Sequence, residues 1–168
     1  VKHTRKVSGK KLTIATSQLT LTYKIGSGAF ANDNLKIAGT KSAGTREIGW
    51  KPGMQQKSNL KGTYRTLDGY DGNMHAGKPM PIEDGLLARD GWTLIDDSHS
   101  LLFDGDPDWD WVTTRTSAEG AQDWYFMIYG HNYKQALKSF TRFAGNIPLP
   151  PRYAFGYWWS RYWSYSDQ

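Results

Sequence analysis

Residues 124–145 read Trp124-Tyr125-Phe126-Met127-Ile128-Tyr129-Gly130-His131-Asn132-Tyr133-Lys134-Gln135-Ala136-Leu137-Lys138-Ser139-Phe140-Thr141-Arg142-Phe143-Ala144-Gly145, and this stretch decides the architecture. Trp124 to Tyr129 is a continuous apolar run, short and aromatic, which predicts a strand buried on both faces. The period then changes. Tyr133, Ala136, Leu137, Phe140, Phe143 and Ala144 fall at i, i+3, i+4, i+7, i+10 and i+11, the stripe a helix needs to bury one side. Asn132 is placed to cap its start and Gly145 to stop it.

Upstream of this helix the pattern is all strand and turn. Lys11 to Ala15 and Gln18 to Tyr23 alternate, with Leu12 and Ile14, then Leu19, Leu21 and Tyr23, on one face each. Ile25 to Ala31 and Leu35 to Gly39 read as a further pair around the turn-forming Asn32, Asp33 and Asn34. Asn59 to Pro81 has many glycines and few aliphatics, so it reads as a long loop, and long loops in compact domains tend to carry function. Beyond it, Gly91 to Ile95 and Ser98 to Phe103 are expected strands, and Trp109 to Thr114 is expected to pair back through Asp104 to Asp108. The fold class is mainly β: a β-sandwich with one amphipathic helix.

Composition narrows the function classes. A chain of 168 residues gives one core and buries roughly 70% of its unfolded surface. It has no cysteine, which excludes a disulfide framework, a thiolate zinc site and a thiol nucleophile. No run of eighteen apolar residues occurs, so no membrane partner is expected. Charge is uneven: residues 1–61 carry twelve Lys/Arg against two acids, and residues 62–168 carry nine against fourteen. The basic third could be a nucleic-acid footprint, but its lysines are scattered singly among Gly, Ser and Thr, so no nucleic-acid partner is assigned.

Candidate chemistry is sparse. Asp104, Asp106, Asp108 and Asp110 alternate like a calcium loop, yet the sixth and twelfth places hold Trp109 and Arg115 instead of Gly and Glu. A hairpin turn with solvated acids is the expected reading. His3, His75, His99 and His131 share no ligand spacing, and neither a Gly-x-Ser-x-Gly elbow nor a phosphate-binding glycine loop exists. No metal and no cofactor is expected. The loop from Thr63 to Gly72 mixes Asp68 and Asp71 with Tyr64, Tyr70 and Arg65. That toolkit suits sugar recognition, in which carboxylates accept from hydroxyls and rings stack on C–H faces, and it equally suits a Gly-Asp surface turn.

The C-terminal stretch is the most unusual. Six of the eight tryptophans lie beyond residue 100, three of them at Trp158, Trp159 and Trp163. Asn146 to Pro151 contains three prolines that forbid a helix and set an extended path. Arg152 to Tyr162 reads as a strand too aromatic for a solvent-facing edge. Burying one large aromatic is worth roughly 2 to 3 kcal/mol, so partners are expected in sequence beyond Gln168, and the chain reads as a fragment of something longer.

Leu149-Pro150-Pro151-Arg152-Tyr153-Ala154-Phe155-Gly156-Tyr157-Trp158-Trp159-Ser160-Arg161-Tyr162 resembles the passage by which members of glycoside hydrolase family 31, the retaining α-glycosidases, leave their amino-terminal β-sandwich and enter the catalytic (β/α)8 barrel. Trp124 to Gly145 is similar to the family's last sandwich segment, and Gly85 to Ser98 to a stretch found in a bacterial branch of it. The resemblance implies a galactose-mutarotase-like sandwich over 1–146, a proline linker over 147–151 and the first barrel strand over 152–168. It also implies an oligosaccharide substrate, with the remainder of the chain's own barrel as structural partner. Tyr162 falls where the family's first barrel strand lends an aromatic to the sugar pocket. Asp68, with Asp71 beside it, falls where a sandwich loop supplies an acid to the same pocket.

The departure from the family is large. Retaining hydrolysis needs two carboxyl groups about 5 to 5.5 Å apart, which the family takes from later barrel strands. Its nucleophile motif, Trp-x-Asp-Met followed by a small residue and Glu, is absent, since none of Met54, Met74, Met80 or Met127 follows an Asp. No catalytic residue is therefore assigned here, and the segment alone is expected to be inactive. The parent activity implied is α-glucosidase, with α-xylosidase, α-galactosidase and transglycosylase as alternatives. A stand-alone carbohydrate-binding sandwich is the rival reading. A periplasmic or extracellular setting is favoured over a cytoplasmic one.

Overall fold

The computed structural model describes residues 1–41, 44–62, 82–108, 111–116 and 120–158. Among them, five antiparallel strands form a meander: β1 (Thr4–Ser8), β2 (Lys11–Ala15), β3 (Leu19–Lys24), β4 (Leu35–Gly39) and β5 (Gly49–Trp50), in that spatial order. A second layer pairs β6 (Trp92–Asp96) with β9 (Trp124–Ile128), and a small hairpin pairs β7 (Leu102–Phe103) with β8 (Val112–Thr113). Helix α1 (Tyr133–Ala144) follows β9. The chain is mainly β, with antiparallel sheets arranged as a β-sandwich.

Period-two alternation places the core between the layers. Leu35 and Ile37 from β4, Trp50, Trp92 and Ile128 form its buried centre, ringed by Leu19, Leu21, Tyr23, Leu94, Trp124 and Phe126. Trp50 is 1% exposed and meets Phe126 at a ring separation of 5.0 Å, Trp92 at 6.1 Å and Trp124 at 6.2 Å. Large rings suit this place because each buries far more area than an aliphatic at little conformational cost. Three of the eight tryptophans thus build the core. At one end β6 and β9 are drawn together by Gly91, whose carbonyl accepts the N–H groups of Tyr129 and Gly130 at 2.8 and 2.9 Å. Its φ of +77°, and the 2.8 Å between a Cβ there and the Gly130 Cα, admit only glycine.

The helix has the expected bounds, but its apolar stripe is buried only in part, with Leu137 46% and Phe143 45% exposed. The Asn132 side chain accepts from the Gln135 N–H at 3.3 Å, and Gly145 follows the last turn. Ala136 is buried and Phe143 stacks on Tyr125 at 4.8 Å, so the helix covers the outer side of β9. That cover is partial: Tyr125 is 39% exposed, so β9 is not buried on both faces as its apolar run implies. No helix among the described residues is long and apolar enough to cross a membrane.

Several expected strands are shorter or absent. Residues 25–31 form a loop, because Asn34 accepts from Ala31 N–H at 2.8 Å and donates to the Ala29 carbonyl at 2.7 Å, holding the chain in a local turn instead of a ladder. Ser98 to Phe103 pairs only at Leu102 and Phe103, since Asp96 captures the Ser98 N–H at 3.0 Å and bends the chain away. The Asp104 to Asp108 segment is the turn expected of it, with Asp104 accepting from Asp106 N–H and Asp106 from Asp108 N–H. Arg152–Phe155 is a 3-10 turn, not the opening of a strand: Ala154 N–H reaches the Pro151 carbonyl at 2.9 Å. Two strands carry little sequence signal. β1 is exposed along its whole length, so it shows no apolar face, and β5 has only two residues.

Candidate functional site

The residues singled out from sequence, Asp68, Asp71 and Tyr162, lie outside the described residues. What the structure does describe is the pair of limbs that flank residues 63–81. Ser58 to Gly62 runs antiparallel to Glu83 to Arg89: Leu60 N–H donates to Leu87 O at 2.8 Å, Gly62 N–H to Glu83 O at 2.8 Å, and Arg89 N–H to Ser58 O at 2.8 Å. Asn59 clamps the two limbs. Its Oδ1 accepts from Gly85 N–H at 2.8 Å and Lys61 N–H at 2.7 Å, while its Nδ2 donates to Gly85 O at 2.9 Å and Gln56 Oε1 at 2.6 Å.

The magnitudes favour a formed stem. Closing a loop of about twenty residues costs about 2.7 kcal/mol plus a constant. Five hydrogen bonds cross the stem, and at about 1 kcal/mol net each they offset that cost. Lys61 adopts a φ of +66°, a left-handed conformation that costs a side-chain-bearing residue roughly 1 kcal/mol, held by the Asn59 acceptor and by an exposed ion pair to Asp84 at 2.5 Å. Gly85 makes the approach of the limbs possible, because a Cβ there would stand 2.5 Å from the Lys61 carbonyl oxygen.

A polar chain anchors the stem to the core. Gln56 Nε2 donates to the Trp92 carbonyl at 2.6 Å, and Asp90 Oδ2 accepts from the N–H groups of Lys57 and Ser58 at 3.1 and 2.8 Å. The Tyr129 hydroxyl accepts from the fully buried Ala88 N–H at 2.8 Å and lies 3.0 Å from Thr93 Oγ1. Thr93 in turn donates to the Leu86 carbonyl at 2.6 Å. Buried polar groups stabilise a structure only when satisfied, and here each stated donor has an acceptor. Sequence reading missed Gln56, Asn59, Asp90, Thr93 and Tyr129. The available signal was Thr93, a polar residue set between the apolar Trp92 and Leu94.

Arg115 ties the β7–β8 hairpin to the second layer. Its guanidinium, 15% exposed, pairs with Asp97 and, at 3.0 Å, with Asp123, and its Nε donates to the Ser100 carbonyl at 2.9 Å. The Ser98 hydroxyl, at 2.5 Å, is the chief reason the Asp96 carboxyl is held below its ordinary range. These acids shape turns. Two cavities complete the picture: about 430 Å³ between β9 and α1, lined by Tyr125, Met127, Gln135, Ser139 and Phe143 among others, and about 370 Å³ between the layers, lined by Ile14, Leu21, Ile37, Leu94 and Trp124 among others. The C-terminal rings are exposed, Tyr157 by 91% and Trp158 by 68%.

No protein-family model matches the chain. Over 93 residues it is 32% identical to the α-xylosidase XylQ of Lactiplantibacillus pentosus, and over 46 residues it is 44% identical to α-glucosidase 2 of Bacillus thermoamyloliquefaciens. The matched stretches take in 54% and 27% of this chain but span only 12% and 6% of those proteins. The similarity to these two proteins is therefore partial.

Proposed function

We propose that the chain is the amino-terminal portion of a glycoside hydrolase of family 31, an α-glucosidase by first choice and an α-xylosidase by second. In this reading it braces a catalytic barrel and shapes the pocket in which an oligosaccharide is cleaved with retention. The observation that carries the reading is the partial identity to an α-xylosidase and an α-glucosidase, found on a chain folded as a β-sandwich. The exposed rings of Tyr153, Phe155, Tyr157 and Trp158 support it, because a barrel packed on them would supply the apolar contact that the described residues do not.

The roles follow from chemistry. The limbs clamped by Asn59 fix where residues 63–81 leave and rejoin the sandwich, and an acid among those residues, Asp68 or Asp71, accepts from sugar hydroxyls. Tyr162 stacks on the sugar ring. The nucleophile and the acid that protonates the leaving sugar come from the barrel. The test is hydrolysis of p-nitrophenyl α-D-glucoside and α-D-xyloside by the protein encoded by the whole gene, with the 168-residue chain as control. Activity in the former and none in the latter is expected; an intact protein inert on both would overturn the proposal.

A second reading, a stand-alone carbohydrate-binding sandwich, is favoured by the exposure of Tyr157 and Trp158, which could stack on sugar rings. It requires that tryptophan fluorescence of the 168-residue chain shift on adding maltoheptaose or xyloglucan oligosaccharide, and an unchanged spectrum would remove it.

A further inference from the structure

The face of the five-stranded sheet turned away from the core carries a different constellation. Leu12, Ile14, Leu21, Leu35 and Ile37 face the inter-layer space, so strand alternation sends Lys11, Thr13, Thr22, Lys24 and Lys36 to the opposite side. The ladder sets Lys6 across from Thr13, Lys11 across from Lys24, and Lys36 across from Thr22. Lys10, in the β1–β2 turn, and Lys51, just after β5, join Lys11, Lys24 and Lys36 around an open depression of about 480 Å³. Asp33 is the one carboxylate in its lining. The ion pairs formed between described residues belong to Lys61 and Arg115, so these five ammonium groups have no carboxylate bound to them there.

Such an arrangement has a cost. Like charges directly opposite on a ladder destabilise the pair, and Lys11 faces Lys24 with neither in an ion pair among the described residues. A bound anion removes that repulsion. The residue types between the lysines say which anion. Ser8, Thr13, Thr20 and Thr22 share the face, and their hydroxyls both donate and accept, as sugar hydroxyls do. No aromatic side chain occurs at the outward positions of β1 to β4, which removes the stacking platform that single-stranded nucleic acids use. Strands about 4.8 Å apart repeat the pattern at roughly the length of one sugar ring.

We infer that this face binds an acidic polysaccharide, a chain of uronate-bearing sugars laid across the strands, with carboxylates on Lys11, Lys24 and Lys36 and hydroxyls on the intervening threonines. The site is independent of the glycosidase reading: it lies on the outer face of the sheet, and it requires no hydrolysis.

The test uses the 168-residue chain and alginate oligomers in calorimetric titration at low salt, with dextran oligomers as neutral comparison. Alginate is expected to bind and dextran not, with affinity falling as salt rises through counterion release. Lys11→Gln/Lys24→Gln/Lys36→Gln should weaken binding at least tenfold and lower the salt slope by roughly one for each lysine removed. Lys57→Gln/Lys134→Gln/Lys138→Gln, with the same net charge change elsewhere, should bind as the unmutated chain does. In that unmutated chain, alginate should shift the backbone amide resonances of residues 10–13, 22–24 and 36, which holds even if a variant folds poorly. Equal losses in both triple variants, shifts confined to other residues, no alginate binding, or tighter binding to a DNA duplex at the same salt would each overturn the inference.

Discussion

The hydroxyl of Tyr129, just after β9, accepts the backbone N–H of Ala88 at 2.8 Å, and so fastens the Glu83–Arg89 limb to the second sheet layer. Both residues are buried, Ala88 completely. Tyr129→Phe keeps the ring and removes the acceptor, leaving that N–H without its side-chain partner in a place water does not reach. A buried donor left unsatisfied costs about 1 to 3 kcal/mol. Urea unfolding of the variant should show a loss in that range at an unchanged m-value; a loss under about 0.5 kcal/mol would mean the bond contributes nothing net.

Gly85 and Gly62 stand on facing limbs of the stem and differ sharply in the room around them. A Cβ on Gly85 would sit 2.5 Å from the Lys61 carbonyl oxygen, whereas one on Gly62 meets nothing nearer than 3.5 Å. Gly85→Ala should therefore pry the limbs apart, costing about 1 to 3 kcal/mol through overpacking, and should speed hydrogen exchange at the Leu60 and Gly62 amides. Gly62→Ala should leave both amides protected. Equal exchange in the two variants would contradict the close approach.

Asp104 carries the clearest pH dependence. The backbone N–H of Asp106, and then that of Trp111, donate to its carboxylate at 3.1 Å and hold its pKa below the ordinary 3.8. A depressed folded-state pKa means that the contribution to the hairpin is full above the unfolded value and is lost as pH falls through the lower folded one. Carboxyl-carbon NMR titration should give Asp104 a midpoint below 3.8, with the Trp111 amide losing protection over the same acid window. A midpoint at or above that value would count against the turn geometry.

Trp158 separates the isolated chain from the proposed enzyme. Its ring is 68% exposed, and its Nε1 donates to the Ala154 carbonyl at 3.0 Å. Trp158→Ala should change the stability of the 168-residue chain by less than about 0.5 kcal/mol, as surface substitutions do. In an intact enzyme whose barrel packs on the ring, the same change should cost about 3 to 5 kcal/mol. Thermal unfolding of both proteins measures the contrast, and equally small effects would remove the bracing role.

Local chemistry was legible in the order of residues wherever one element carries its own signal. The stripe from Tyr133 to Ala144, with Asn132 before it and Gly145 after, specifies a helix through a 3.6-residue period and two caps, and the observed helix has those bounds. Alternation likewise marked β2 and β3, flanking turn residues β4, a continuous apolar run β9, and the aspartates from 104 to 108 a turn. Tertiary structure alone decided the rest, because the relevant contacts join residues distant along the chain. β1 has no apolar face and exists because β2 offers it a ladder. Asn59 becomes a clamp only when Gly85 is brought beside it, and Thr93 is tolerable in the interior only because Leu86 and Tyr129 supply its partners. Lys10, Lys11, Lys24, Lys36 and Lys51, spread along residues 10–51, come together because antiparallel pairing converts a spacing in sequence into adjacency across strands.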